Sequence, residues 1–395
     1  MPDTESFDSL LGSFKPVPDS PHAVTIQKAL FVARSLQERA RALQTPSERR
    51  QQAELDRMLQ TPSDKATLAL MTDQAFRTND PARAVEHLTY ILDVQGVPRF
   101  FGPIDRTLMK GFQSFGGFVP GVALPLVKEQ MHKETANVIL PGEMEVLTRH
   151  LGERRAEGVR MNVNFLGEAI LSEPEAERRL QQYLQGLQWD EVEVVSIKIS
   201  TVYSQISPLA REHTVTVLCD RLERLFRTAD RARFTRPDGT VVPKFVYLDM
   251  EEYRDKELTA AAFMRTLDRD GLRHITAGIA LQSYIPDSYR RVAGGGGRIT
   301  IRLVKGANME SERAESSVRG WPQAPYRSKR ETDANYKRMV HAVMEPANLA
   351  AMNVGIASHN LFDLAYGLVL AHERDAFDKV QFEMLEGMAN AQRRA

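Results

Sequence analysis

The sequence predicts an α/β protein: a (βα)8-type barrel with seven of its eight units present, preceded by an α-helical N-terminal region. Three observations lead there. Apolar runs of strand length recur seven times after residue 155. They are near-continuous, as strands buried on both faces are. Each is followed by a segment with helical patterning, the alternation that builds a parallel sheet.

Taken in order, residues 21–60 are rich in Ala, Leu, Gln, Glu and Arg, all good helix formers. Ile26, Ala29, Leu30, Ala33 and Leu36 fall at helical spacing. Pro46 and Pro62 each stand between a Thr and a Ser, which marks helix starts. A further helix is expected over 81–94, and no strand stands out in 100–130. Residues 1–155 therefore read as a helical region without chemistry of its own, a packing element or an arm through which copies of the chain associate. The apolar runs are 159–166, 192–200, 243–250, 276–285, 298–306, 353–360 and 379–387, with amphipathic stretches such as VTVLCDRLERLFRTADRA between them. Seven units over residues 156–395 favour a barrel over an open sheet. The eighth strand and helix are not reached before Ala395, which leaves two strand edges to be covered.

Composition removes several function classes. Lys plus Arg and Asp plus Glu both number 52, and a zero net charge argues against a general nucleic-acid surface. The single cysteine, Cys219, excludes an internal disulfide, fits a reducing compartment and sits in a helical pattern as a core residue. The acidic, polar start lacks the features of a secretory signal, and no run approaches the roughly 20 apolar residues that span a bilayer. The expected location is the cytoplasm. Nine histidines without HExxH or close pairing imply no metal. The GGGG at 294–297 lacks a strand–GxGxxG–helix context and reads as a loop.

Barrel chemistry sits at the C-terminal ends of the strands. Those ends carry Lys198; Asp249, Glu251 and Glu252; Gln282; Arg302 and Lys305; Ser358, His359 and Asn360; and Glu383 and Leu385. Lys198, Arg302 and Lys305 lie inside apolar runs, where a charge is costly unless paired or met by a ligand. Three cations at one mouth point to an anionic ligand: a phosphate, a carboxylate or a reduced flavin. The alternative is an internal ion-pair layer, for example Lys198 with Asp249. His359 alone reads equally as a satisfied polar residue at a strand end. Two other functions remain open at this point. A lysine beside an aspartate also describes a Schiff-base, aldolase-like barrel enzyme, which borohydride trapping would reveal. A non-catalytic interaction module acting through the helical part would bind no flavin and self-associate.

Over residues 65–395 the segments NFLGEAIL, VSIKIS, YLDMEEYRD, IALQSYIPDS, IRLVKGANMESERAESS, YRSKRETDANYKRM, IASHN and FEMLEGM resemble, in order, the proline dehydrogenase family. RGWPQAPY after the fifth run is similar to the form in bacterial proline utilisation A proteins, in which an aldehyde dehydrogenase domain follows. The resemblance implies a distorted barrel that binds FAD without a Rossmann domain. It implies oxidation of L-proline to Δ1-pyrroline-5-carboxylate, with electrons passed to a membrane quinone from a peripheral position at the inner membrane. The product would pass to a pyrroline-5-carboxylate dehydrogenase domain or protein.

The resemblance also assigns roles. Lys198 would bind the proline carboxylate, with Asp249 beside the substrate. Gln282 would contact the flavin ring, Arg302 would lie near its N5, and Lys305 and Gly306 would line the cofactor's phosphates. Ser358, His359 and Asn360 would form a cofactor segment, and Leu385 an apolar contact to the ring system and substrate. Glu168 would pair with Arg302 as a gate. Asn308 and Met309 stand where the family often has Tyr-Trp over the substrate. The family's paired arginines and tyrosine of helix eight would fall after Ala395. The expectation for this chain is accordingly weak FAD binding and little proline oxidation.

Overall fold

The computed structural model describes residues 4–59, 67, 70–71, 80–99, 103–118, 121, 124–125, 127, 129, 144–165, 170–291 and 298–395. The chain divides into two compact units, Met1–Ser35 with Gly142–Met384, and Leu36–Pro141 with Leu385–Ala395.

Among the described residues the first unit holds nine strands: β1 (Asn162–Asn164), β2 (Val194–Lys198), β3 (Arg233–Thr235), β4 (Val241–Pro243), β5 (Phe245–Asp249), β6 (Ala277–Gln282), β7 (Ile299–Val304), β8 (Met352–Ala357) and β9 (Val380–Glu383). Seven form one parallel sheet in the order β1-β2-β5-β6-β7-β8-β9. Six lie within their apolar runs, and β8 begins one residue before its own. β6 is buried along its whole length and β7 up to Val304, as a sheet covered on both faces requires. The sheet curls strongly. Arg160, just before β1, reaches Gln381 on β9 at 3.4 Å, so the two edge strands meet across one side-chain pair. The (βα) barrel architecture expected from the sequence is thus present through its seventh strand.

Helices cover the outer face at Glu173–Gly186, Arg211–Arg231, Lys256–Leu267, Lys329–Val343 and Leu361–Glu373. In Arg211–Arg231 the buried residues Val215, Leu218, Cys219, Leu222, Leu225, Phe226 and Ala229 recur at helical spacing and form one stripe. Each large apolar side chain fully buried this way stabilises by about 1.5–3 kcal/mol. Phe226 meets Phe263 of the next helix edge-on at 6.1 Å. Cys219 packs there as expected, its Sγ 3.6 Å from the Ala262 carbonyl. Ser328 and Glu331 form a capping box at the start of Lys329–Val343, and the Asn360 side chain caps Leu361–Glu373.

The hairpin β3–β4 departs from the sequence reading. Its turn, Arg236-Pro-Asp-Gly, has Gly239 at φ 83°, a conformation natural to glycine. The hairpin delivers Arg236 to the buried carboxylate of Glu193 at 2.8 Å, which Arg160 shares at 2.7 Å. One acid thereby pins the start of β1 to the start of β2. At the amino end of the same unit, helix Thr4–Gly12 sets Phe7 edge-on against His372 and Phe377, and Asp8 bonds His372 at 2.7 Å.

The second unit is helical, with Pro46–Leu59, Pro81–Gln95 and Pro103–Phe115. Helix Val24–Leu43 runs across the boundary between the two units. Met71, Leu88, Leu92, Met109, Phe112 and Val127 form the second unit's core. Pro46 and Pro81 open their helices, the latter behind an Asp80 cap. The start expected at Pro62 and the GGGG at 294–297 lie outside the described residues. Arg394 bonds Glu48 at 2.7 Å, and this hydrogen bond outweighs burial to hold the Glu48 carboxyl down at about 2. No helix among the described residues is long and apolar enough to cross a membrane.

Candidate active site

Strand alternation sends every second side chain into the curled sheet. On β7, Arg302 points inward, its side chain only 9 % exposed. Its Nε lies 2.7 Å from Glu383 Oε2, and its Nη1 lies 3.2 Å from both Asp249 Oδ1 and Ser196 Oγ. The guanidinium stacks on the Tyr247 ring, 3.6 Å from the centroid, a geometry in which the ring face attracts the cation. Asn162 donates to Ser196 at 2.8 Å and Asn164 to Asp249 at 3.3 Å. Gln381 donates to Tyr247 Oη and, at 3.0 Å, to Glu383. Side chains from β1, β2, β5 and β9 thus converge on one arginine of β7.

Two glycines make the room. A Cβ on Gly278 would lie 2.1 Å from the Tyr247 ring, and one on Gly355 2.4 Å from Glu383 Oε1. Both strands that flank β7 therefore give up a side chain where the cluster needs space.

Burial disfavours the charged form of both titrating groups on β5. It pushes the Asp249 carboxyl up, although Arg302 and Lys198 pull the other way. It also raises the Tyr247 hydroxyl, with Glu383 adding to the effect. Asp249 is a carboxylate with enhanced proton affinity, facing the interior at the C-terminal end of its strand.

Lys198 is the register neighbour of Asp249 but pairs with Glu251, at 2.8 Å. The Lys198–Asp249 pair weighed from the sequence is replaced by Lys198–Glu251 and Arg302–Asp249. The two side chains remain register neighbours, each with its own counter-charge. Gln282, at the end of β6, donates to the carbonyls of Met250 and Glu251 at 3.1 and 2.9 Å, which fixes the loop carrying Glu251.

Lys305 does not join Arg302. Three residues further on, it turns to the helix layer, 2.5 Å from Asp333 and 2.7 Å from Asp363. Asp363 is fully buried and also takes Lys337 at 2.5 Å and Ser358 Oγ at 3.2 Å. Burial alone would lower the Lys305 ammonium; the hydrogen bonds to Asp333 and Asp363 carry it above its ordinary value instead. Two of the three expected cations, Lys198 and Arg302, therefore share the inner face, while the third lies on the outer. Gly306 follows at φ 123°, where a Cβ would stand 2.0 Å from the Tyr284 ring. His359 is half-buried and its proton affinity is lowered by that burial. Asn308 stands at the start of helix Met309–Arg319, its carbonyl accepting from Ser311. Leu385 belongs to the second unit and is 66 % exposed. Glu168 lies outside the described residues.

Asp363, Tyr247, Ser196 and Gln381 were not singled out from the sequence, and Glu383 appeared there only as a strand-end residue. The NLFD that opens helix Leu361–Glu373 carried the signal for Asp363, an acid in a first helical turn directly after a strand.

A family model described as proline dehydrogenase matches residues 147–395. No curated protein matches the chain. Among solved structures, proline utilisation A from Corynebacterium freiburgense is 35 % identical over 68 % of this chain and 28 % of its own, with a TM-score of 0.60. The protein of that name from Bdellovibrio bacteriovorus, inactivated by N-propargylglycine, is 23 % identical over 94 % of this chain and 38 % of its own, with a TM-score of 0.72. A variant of the Bradyrhizobium japonicum protein shares the fold at 18 % identity over 99 % of this chain and 41 % of its own, with a TM-score of 0.64. The chain thus spans well under half the length of these solved proteins.

Proposed function

This chain belongs to the proline dehydrogenase family, and from that premise we propose that it forms the FAD-binding site at which L-proline is oxidised to Δ1-pyrroline-5-carboxylate. One observation carries the reading. Arg302 is held inside the curled sheet by carboxylates and an aromatic ring, at the end of the strands where barrel enzymes do their chemistry.

The residues fit a flavin nucleotide. Gly306 follows the cationic Lys305 at a positive φ, with the Tyr284 ring packed where a Cβ would stand. The Ser283 hydroxyl at the end of β6 is buried without a partner among the described residues. Arg302 and Gln282 would hold the ring system; Lys305, Gly306, Ser358, His359 and Asn360 would hold the nucleotide. When bound, the flavin takes up the two electrons and the hydrogen that leave proline.

The chain's own residues supply the rest. Lys198 faces the substrate carboxylate and fixes the ring's orientation, which is the entropic part of catalysis. Exchanging its partner from Glu251 to substrate costs little, because one carboxylate replaces another. Asp249, whose burial raises its proton affinity, receives the proton that the substrate's ammonium nitrogen sheds. Arg302 places a fixed positive charge against the negative charge that builds up on the electron acceptor. Asn308 would complete the substrate pocket. Electrons would pass on to a membrane quinone at the cytoplasmic face of the inner membrane. The product would go to a pyrroline-5-carboxylate dehydrogenase domain or protein.

The test is direct. The chain, held in excess FAD, is expected to bind the yellow chromophore weakly, with slow bleaching by proline, and an Arg302→Gln variant is expected to lose it. A colourless chain after exhaustive FAD loading would refute the proposal.

A further inference from the structure

The clamp around Arg302 has two carboxylate jaws, and only Asp249 has a part in the reaction proposed above. Glu383 supplies the other. Its Oε2 takes the Arg302 Nε at 2.7 Å, a shorter contact than the 3.2 Å of the Asp249 pair. Its Oε1 is held by Gln381 at 3.0 Å and by the Tyr247 hydroxyl at 3.4 Å. Gly355 leaves the space this oxygen occupies, since a Cβ there would come within 2.4 Å of it. A free surface glutamate would need none of these supports. The contact at Nε is an ion pair, and the hydrogen bonds of the guanidinium run from Nη1 to Asp249 and Ser196, so Glu383 acts on Arg302 through its charge at close range.

We infer that Glu383 is the positioning residue that sets the effective charge of Arg302 toward the flavin. The inference rests on the flavin reading given above. With both carboxylates ionised, the clamp leaves the arginine in a net negative setting, so its field at the cofactor is tempered. Neutralising Glu383 while keeping its shape removes one negative charge beside the cofactor and favours the electron-rich, reduced form.

The experiment uses the chain loaded with FAD and compares it with Glu383→Gln and Glu193→Gln. The second variant neutralises a more deeply buried, doubly ion-paired carboxylate at the start of β2, so it reports fold damage alone. The readout is the midpoint potential of the bound flavin by dye-equilibrated reduction, together with the oxidised flavin's absorption envelope. Glu383→Gln is expected to favour reduced over oxidised flavin about tenfold, an upward shift of about 30 mV for a two-electron couple. It should also perturb the absorption envelope, while Glu193→Gln changes neither. An unchanged potential in Glu383→Gln, or an equal shift in Glu193→Gln, overturns the positioning role and leaves the flavin reading standing. An unsubstituted chain that takes up no flavin overturns that reading and this inference together.

Discussion

Adding one methyl group at Gly278 tests the packing on which the arginine cluster depends. The ideal Cβ would stand 2.1 Å from Tyr247 Cε1 and 2.2 Å from Cδ1, against the roughly 3.5–4.0 Å of a normal carbon–carbon contact. The ring must therefore retreat by about 1.4 Å at the least, and it is only 2 % exposed. Overpacking of this kind costs about 1–3 kcal/mol. Retreat also strains the two hydrogen bonds that join the hydroxyl to Gln381 and Glu383, each worth about 0.5–1.5 kcal/mol. Against these, a glycine-to-alanine change stiffens the unfolded chain and returns about 0.4–1 kcal/mol. The balance predicts that Gly278→Ala destabilises by about 2–4 kcal/mol. Urea unfolding measures it as a fall in midpoint at constant slope. The same substitution in a Tyr247→Ala background should cost almost nothing, because the obstructing ring is gone. A loss within about 0.5 kcal/mol of zero, or an equal loss with and without the ring, would refute the reasoning.

Three further outcomes follow from the same geometry. Asp363→Ala strips a fully buried carboxylate from Lys305 and Lys337; because Lys337 is 42 % exposed, the loss should be about 2–4 kcal/mol, somewhat under the roughly 3–5 of a wholly buried pair, read by the same unfolding assay. Asn360→Ala removes the cap of helix Leu361–Glu373 and should cost about 1 kcal/mol, with Asn360→Asp recovering most of it. Burial pushes the Asp255 carboxyl from 3.8 up to about 6, so the folded chain holds a proton there that the unfolded chain has released. Stability should therefore fall as pH rises from about 4 to about 6 and then level off, with Asp255→Asn flattening that slope; a slope unchanged in the variant would count against it.

The sheet was legible because parallel strands buried on both faces must be apolar almost throughout, as Ile299–Val304 and Ala277–Gln282 are. The hairpin of Arg233–Thr235 and Val241–Pro243 was missed because its strands are three residues long and mostly exposed, although Asp238-Gly239 marks its turn. Arg302 and Lys198 stood out as charges set in apolar surroundings, and the structure gives both a partner on the inner face. Their partners were not legible. Pairing Arg302 with Glu383 and Asp249 needs the register across five strands, which no local pattern encodes. The turning of Lys305 was within reach: an odd offset from Arg302 along a strand places it on the opposite face.

The glycines at 278 and 355 have a consequence for how relatives of this protein diverge. Each is the empty half of a two-residue shape, Gly278 with Tyr247 and Gly355 with Glu383. Neither member can change first without a clash or a void, so lineages should exchange these positions as couples. A descendant that fills 278 should carry a slimmer residue at 247, and one that fills 355 should have shortened or lost the acid at 383.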